Sequence, residues 1–311
     1  MNDYYPLVSV LIPTFNNEKY ILGAIESILS QTYSNVEIII VHKEYGPEDD
    51  TQNIVSKYKS DNRVKYFKQT GVGYAAAYNQ AYRAAKGEFL CFQDADDLSL
   101  PSRIEEEVRV LLDNHDIEMV YSQAYFLDDF DQPFRIWGGL RAGRIPGKEI
   151  FYKIFSECHN FIPNTSVMFR RRHVRGDMLF SEDLPTSADC EHHLRLSHDY
   201  DLYEIHKPLV MIRRGSNHRC LSSDRILNLS MEREIRRRIR REYRTSKPRI
   251  RLIHLLRAES NLNLNESSFF YQRRDLINMV SRMALAFIIN PVNHRYKEVL
   301  ERAIASYRHV D

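Results

Sequence analysis

The segment Phe92-Gln93-Asp94-Ala95-Asp96-Asp97 sets three carboxylates directly behind a short apolar run, Phe89-Leu90-Cys91-Phe92. Such a run reads as a buried strand, and open α/β sheets bind ligands beyond the carboxyl ends of their strands. Asp94 and Asp96, spaced i and i+2, can converge there on one hard divalent cation. Mg²⁺ or Mn²⁺ suits that spacing, because such an ion takes one or two carboxylates and shares the rest of its shell with substrate phosphates. The competing reading is an Asp-rich turn in which Asp97 or Ser99 caps a helix near Pro101.

A second carboxylate stands in Ser187-Ala188-Asp189-Cys190-Glu191-His192-His193. Asp189 would open a helix, whose N-terminal dipole favours the ionised form; a plain capping role is the alternative. His192 and His193 are adjacent rather than spaced i, i+4, so no zinc site is expected. The cluster from Arg233 to Arg244 includes Arg236-Arg237-Arg238 and Arg240-Arg241. Nucleic-acid binding would want aromatic platforms or a known module beside the charge, and only Tyr243 is near, so no nucleic-acid partner is expected. A solvated helix face and an anionic membrane surface are the remaining readings. Ile277, Val280, Ala284, Phe287 and Ile288, with Arg273, Arg274 and Arg282 around them, fit an interfacial helix or one packed on the rest of the protein.

The elements that must position these groups follow from periodicity. Val8 to Ile12, closed by Pro13, reads as a buried strand, as do Val36 to Val41 and Phe89 to Phe92, with Val64 to Phe67 as a further strand. Asn16 and Asn17 can cap a helix carrying Ile21, Ile25, Ile28 and Leu29. Ile54, Val55 and Tyr58 mark a short helix. Tyr74, Ala77, Tyr78, Ala81 and Tyr82 form a stripe behind Gly71 and Gly73. Ser102-Arg103-Ile104-Glu105 has the form of a capping box. This alternation predicts a parallel sheet covered on both faces. From about residue 126 the pattern changes. Met119 to Tyr125 is one more strand, followed by a loop through Trp137, Gly138 and Gly139. A helix over Phe151 to Phe155, a strand Ser166 to Phe169 and another from Pro208 to Ile212 come next, and helices dominate after a soft boundary near 222.

Taken together these pieces resemble the family-2 glycosyltransferases of GT-A fold, a Rossmann-like α/β architecture for nucleotide-diphospho-sugars. The resemblance runs in order over about residues 7–222. Val8 to Asn16 (VSVLIPTFN) is similar to the family's opening strand and nucleotide loop, and Gly73 to Asp97 to its central helix, strand and D-x-D. Ala188 to Glu191 is similar to the segment with its catalytic base. Thr165 to Arg170 resembles an acceptor-face strand, and Pro208 to Ser222 the acceptor-side loop. The resemblance implies inversion by single displacement, with Asp189 as base and Asp94 and Asp96 on Mn²⁺ or Mg²⁺. Pro13, Thr14, Phe15, Asn16, Tyr78 and Asn79 would join Asp94 and Asp96 on the donor side, and Thr165, Ser166, Glu191 and Arg213 would serve the acceptor side. The implied partners are a nucleotide-diphosphate sugar, with UDP expected, and a carbohydrate or lipid-linked glycan acceptor. Two departures touch the donor. His42-Lys43-Glu44-Tyr45 stands where the family has two Asp and Gly-Ser, and Tyr78 precedes Asn79 where an Arg is usual. Glu44 or the backbone is expected to replace the missing carboxylate, with a pyrimidine held between the loop after Pro13 and Tyr78.

Composition limits the rivals. The chain has 311 residues, 43% hydrophobic and 28% charged, which excludes wholesale disorder. Its 44 basic and 42 acidic side chains give a net +2, too balanced for a dedicated nucleic-acid binder. No apolar run reaches the ~18 residues of a membrane span. The N-terminus has no basic flank or small-residue cleavage site, so no signal peptide is expected. Cys91, Cys158, Cys190 and Cys220 lie far apart, as reduced thiols in a cytoplasmic protein would. The expected organisation is a catalytic domain over 1–222, with donor binding over about 1–125 and the acceptor side over 126–222, and a helical region over 223–311. The expected location is cytoplasmic, with peripheral contact at the inner membrane face through the basic helices as an option. The rival functions are a nucleotide-sugar-binding protein without activity and a membrane- or partner-docking scaffold.

Overall fold

A computed structural model describes residues 4–158, 160–174, 178–215, 224–243, 250, 252–272, 276–290, 293 and 295–296. The first half alternates β1 (Val8–Phe15), α1 (Ile21–Leu29), β2 (Val36–Lys43), α2 (Thr51–Ser56), β3 (Val64–Lys68), α3 (Gly73–Ala84) and β4 (Phe89–Phe92). After it come β5 (Leu98–Ser99), α4 (Arg103–Asp113), β6 (Met119–Leu127), β7 (Pro133–Trp137), β8 (Gly143–Ile145), α5 (Gly147–Glu157), β9 (Val167–Arg170), α6 (Ala188–Asp199) and β10 (Leu202–Arg213). Three helices close the chain: α7 (Arg225–Glu242), α8 (Leu252–Gln272) and α9 (Leu276–Ile289).

The strands form one sheet in the order β3-β2-β1-β4-β9-β6-β10-β5, with β7 on β6 and β8 on β10. The parallel expectation holds for β3-β2-β1-β4, but β9 runs antiparallel to both β4 and β6, so the sheet is mixed. Strand side chains alternate between two cores. Val8, Val10 and Ile12 meet α1 and α4 on one face, while Leu11 and Ile39 meet α3 on the other. β1 continues through Pro13 to Phe15, three residues past the expected end. There it pairs only with β2, because the β4 ladder stops at Leu11, and the missing Pro13 N–H therefore costs no ladder bond.

Two caps differ from expectation. Asn16 adopts a left-handed φ of 53°, and the Asn17 carbonyl accepts from Tyr20 and Ile21 N–H, so α1 starts one turn later. The Ser102 hydroxyl donates to Glu106 Oε1 at 2.6 Å instead of capping the α4 backbone. The expected loop after β6 contains the strand β7.

α7 and α8 pack on the sheet's own core through Leu229, Ile235, Ile239, Ala258 and Leu262. Several α7 cations are spent internally. Arg236 is buried and donates to the Ile154 and Phe155 carbonyls, both at 2.8 Å, and Arg238 pairs with Asp183 at 2.6 Å. Arg237, Arg240 and Arg241 face solvent. On α9, Val280, Ala284, Phe287 and Ile288 are exposed. The boundary near 222, residues 216–222 of the acceptor-side loop, Cys220, Arg244, Arg273, Arg274 and the Ile277 side chain lie outside the described residues. Cys91, Cys158 and Cys190 are buried free thiols. Among the described residues no helix is long and apolar enough to cross a membrane.

Candidate active site

β1 lies between β2 and β4, so connections leave it toward opposite sides and open a crevice at the strands' carboxyl ends. The D-x-D turn follows β4 into that crevice and is held from beneath by a buried cation. Arg103 of α4 donates to the Phe92 carbonyl at 2.9 Å, Gln93 Oε1 at 3.1 Å and Ser99 Oγ at 2.8 Å. Glu107, equally buried, compensates its charge at 3.0 Å. Gln93 in turn donates to the Asp97 carbonyl at 2.9 Å. The turn has little freedom.

Its three carboxylates divide by environment. Asp97 is buried, accepting from Thr165 Oγ1 at 2.6 Å and from Arg213 N–H at 3.2 Å. Burial, then the nearby Asp96 and Asp94 charges, push its carboxyl well above the usual range. Asp94 is half-buried, with Tyr78 Oη donating to its Oδ1 at 2.8 Å. Burial raises it as well, followed by the charge of Asp96. Arg213 fixes the Asp96 carbonyl through its guanidinium, which also pairs with Asp131 at 2.7 Å and lies 4.8 Å from the Tyr20 ring. Asp94 and Asp96 thus form a partly exposed pair of like charges that a cation would relieve. They fit a Mg²⁺ or Mn²⁺ ion that keeps open positions for phosphate oxygens. Among the described residues no group of three or more His, Cys, Asp or Glu could form a closed metal cage.

Asp189 lies in the first turn of α6, behind Ser187 at a left-handed φ of 62°. Asn160 Nδ2 donates to Asp189 Oδ2 at 3.0 Å, and the same amide lies 3.1 Å from His193 Nδ1. Burial lifts Asp189 to about 6, overriding the helix N-terminus, and the charge of Asp94 adds to the rise. The two carboxylates therefore share one electrostatic neighbourhood although they come from separate elements. His193 is fully buried and lowered to about 3 by burial, so it is neutral. His192 is likewise pushed down by burial.

Residues 9–175 match the family model described as glycosyl transferase family 2. The protein belongs to that family. A glycosyltransferase of Rickettsia typhi is 30% identical over 204 residues, covering 65% of this chain. The match spans 59% of that relative's length. Among solved structures, S. aureus TarS 1-349 in complex with UDP-GlcNAc aligns with a TM-score of 0.59 at 16% identity, covering 89% of this chain and 90% of that one. The mannosyltransferase PcManGT from Pyrobaculum calidifontis, in complex with GDP-Man and Mn²⁺, aligns at 0.57 with 20% identity, over 98% and 82%. At these identities the likeness speaks for the fold, and the GT-A architecture expected from the sequence is the one observed.

The crevice of this family-2 glycosyltransferase sorts the expected site residues. Asp94 and Asp96 stand on the D-x-D turn, and contacts through Tyr78 and Tyr74 lead from Asp94 to Ala188, next to Asp189. Pro13 is part-exposed, Phe15 and Asn16 exposed, at the end of β1, and Thr14 is buried there with its hydroxyl unpaired. Others brace instead of facing a ligand. Tyr78 is 1% exposed, packed on Phe92 and Phe180, so it aims Asp94 and offers no face to a base. Asn79 is fully buried, accepting from Leu179 and Phe180 N–H and donating to the Phe180 carbonyl, all at 2.8 Å. Thr165 bridges Asp94 N–H and Asp97, while Ser166 hydrogen-bonds the Ser122 and Pro163 carbonyls. Glu191 is buried against Ser181 and Arg195, and Arg213 holds the D-x-D turn. Neither His42 nor Glu44 is placed to read a base. His42 bonds Asp49 and Tyr66, both at 2.8 Å, and Glu44 extends toward Lys68 at 3.6 Å. The residue that the sequence reasoning passed over is Tyr45. It is 61% exposed and meets the 52%-exposed Phe15 edge-on at 5.2 Å. An aromatic in the loop after the second strand, facing another after the first, was its only signal.

Proposed function

We propose that this glycosyltransferase moves a sugar from a nucleotide-diphosphate donor to a hydroxyl of a carbohydrate or lipid-linked glycan, with inversion at the anomeric carbon. The observation that carries the reading is the run of contacts that joins the two carboxylate segments: Tyr78 donates to Asp94 at 2.8 Å, meets Tyr74 edge-on at 6.4 Å, and the Tyr74 hydroxyl accepts from the N–H of Ala188, next to Asp189. Asp189 is the base. Asn160 holds its Oδ2 at 3.0 Å and so orients the carboxylate that takes the proton of the acceptor hydroxyl. The acceptor's hydroxyl oxygen, giving up its proton to Asp189, bonds the anomeric carbon as the bond to the diphosphate breaks, and the diphosphate leaves with the electron pair. A single displacement with one carboxylate on the acceptor face inverts the centre. Asp94 and Asp96 would hold Mn²⁺ or Mg²⁺, which when bound neutralises charge on the diphosphate. Phe15 and Tyr45 offer the base an aromatic surface, with UDP as the expected nucleotide. The complexes of TarS with UDP-GlcNAc and of PcManGT with GDP-Man and Mn²⁺ support a nucleotide-sugar donor.

Calorimetric titration with UDP, dTDP, GDP and ADP, each with and without Mn²⁺, tests the donor half. Metal-dependent binding, tightest for UDP, is expected, and no binding of any of them would leave only a scaffold. NMR of the product anomer tests the second half. Retained configuration would overturn the single displacement, and binding without transfer to any acceptor would favour a protein that holds nucleotide sugars without using them.

A further inference from the structure

The β6–β7 hairpin carries aromatic surface that the proposed chemistry does not use. Phe126 and Trp137 stack across the strands at 5.2 Å and 24°, and Phe134 joins Phe126 at 6.2 Å. Phe134 is 57% exposed, and Phe130 on the connecting turn is 83% exposed. A contiguous exposed apolar patch on a soluble face marks a binding surface more often than chance. The hairpin is also tied to the crevice. Asp131 of its turn pairs with Arg213, whose guanidinium fixes the Asp96 carbonyl. Arg214 lies 5.8 Å from the Phe126 ring, and its charge reaches Asp94 and Asp97.

The occupant follows from the chemistry around the rings. A sugar ring has an apolar C–H face rimmed by hydroxyls, which suits an aromatic face bordered by polar side chains. Here the border is Gln132 and Arg135 with Asp128, Asp129 and Asp131. Asp131 is paired with Arg213, and Asp128 and Asp129 of the same turn offset Arg135 and Arg214, so the hairpin has no excess of positive charge to draw an anionic bilayer or a nucleic-acid backbone. We propose that the β6–β7 hairpin is the acceptor platform, on which the exposed rings of Phe130 and Phe134, beside the Phe126–Trp137 stack, hold an uncharged saccharide next to the D-x-D turn. The inference rests on the reading of the chain as a transferase to a glycan, yet it is tested without turnover.

Trp137 is the chain's one tryptophan, so its emission reports this surface alone. The full chain, free of donor and metal, is titrated with cellohexaose, maltohexaose, chitohexaose and mannohexaose, and in parallel with phosphatidylglycerol vesicles. At least one hexaose is expected to shift the emission saturably. Phe134→Ala and Phe130→Ala, both surface changes, should each weaken that binding by up to about tenfold. No shift with any saccharide overturns the proposal, as does unchanged affinity in the Phe130→Ala, Phe134→Ala double variant, or a shift with vesicles alone. Saccharide binding that survives when no nucleotide binds would instead overturn the donor reading and spare the platform.

Discussion

At the scale of single residues, the environment of Asp189 decides what pH dependence to expect. Burial first, and the Asp94 charge after it, bring its carboxyl to about 6. The protonated form cannot accept the acceptor's proton, so kcat/KM should fall as pH drops through about 6 and level off above it. The same shift has the opposite sign for folding. The folded chain holds this proton more tightly than the unfolded one, so the contribution of Asp189 to stability declines as pH rises from about 4 through 6. Asp189→Asn should lower transfer by roughly 10²- to 10⁴-fold and flatten the acid limb, with UDP affinity unchanged in calorimetry. A parallel loss of UDP affinity would make Asp189 a donor-site residue. For the nucleobase, Glu44→Ala should leave UDP affinity alone, since Glu44 already faces Lys68 in solvent. Tyr45→Ala should weaken it by roughly tenfold, the scale of ~1–3 kcal/mol per stacked base. The reverse result would return the base contact to Glu44.

At the scale of elements, what matters is how α4 carries the D-x-D turn. Arg103 and Glu107 are both fully buried, so Arg103→Met leaves an uncompensated carboxylate and should cost about 3–5 kcal/mol in urea unfolding. Arg103→Met with Glu107→Leu should recover most of that stability. Metal-dependent UDP binding should stay weak even so, because the Phe92 carbonyl and Gln93 have lost their donor. Recovery of both together would mean the pair serves folding only. The elements differ in how far they could be read in advance. Val8 to Ile12 and Val36 to Val41 are buried on both faces, and such unbroken apolar runs announce strands. Pro133–Trp137 is almost wholly exposed behind an Asp-rich turn, and nothing in its pattern separates it from a loop. Of the candidate site, residue type and order single out Asp94, Asp96 and Asp189. Orientation was not legible. Whether Thr165 meets a ligand or braces Asp97, and whether Asn79 faces a nucleotide or Phe180, is settled by partners 68 and 101 residues away.

At the scale of the whole molecule, the C-terminal helices are bound to the sheet by common side chains. Ile235 and Ile239 of α7 belong to the same core as Leu11, Ile39 and Phe169. Calorimetric melting should therefore give one cooperative transition, and two separated transitions would show that the helices fold apart from the sheet. The placement of β9 has a consequence in time. Its strand lies between β4 and β6, yet both of these precede it in the chain. On the ribosome, Phe89–Phe92 and Met119–Leu127 emerge with apolar edges that cannot close on each other and must wait for Val167–Arg170. The turn just before β9 brings Thr165 to Asp97, and β10 later brings Arg213 to Asp96. A nascent chain of 160 residues would already own its D-x-D in sequence while lacking the clamps that shape it. The exposed edges close once Val167–Arg170 has emerged, while the site waits longer still, for Asp189 on α6 and Arg213 on β10.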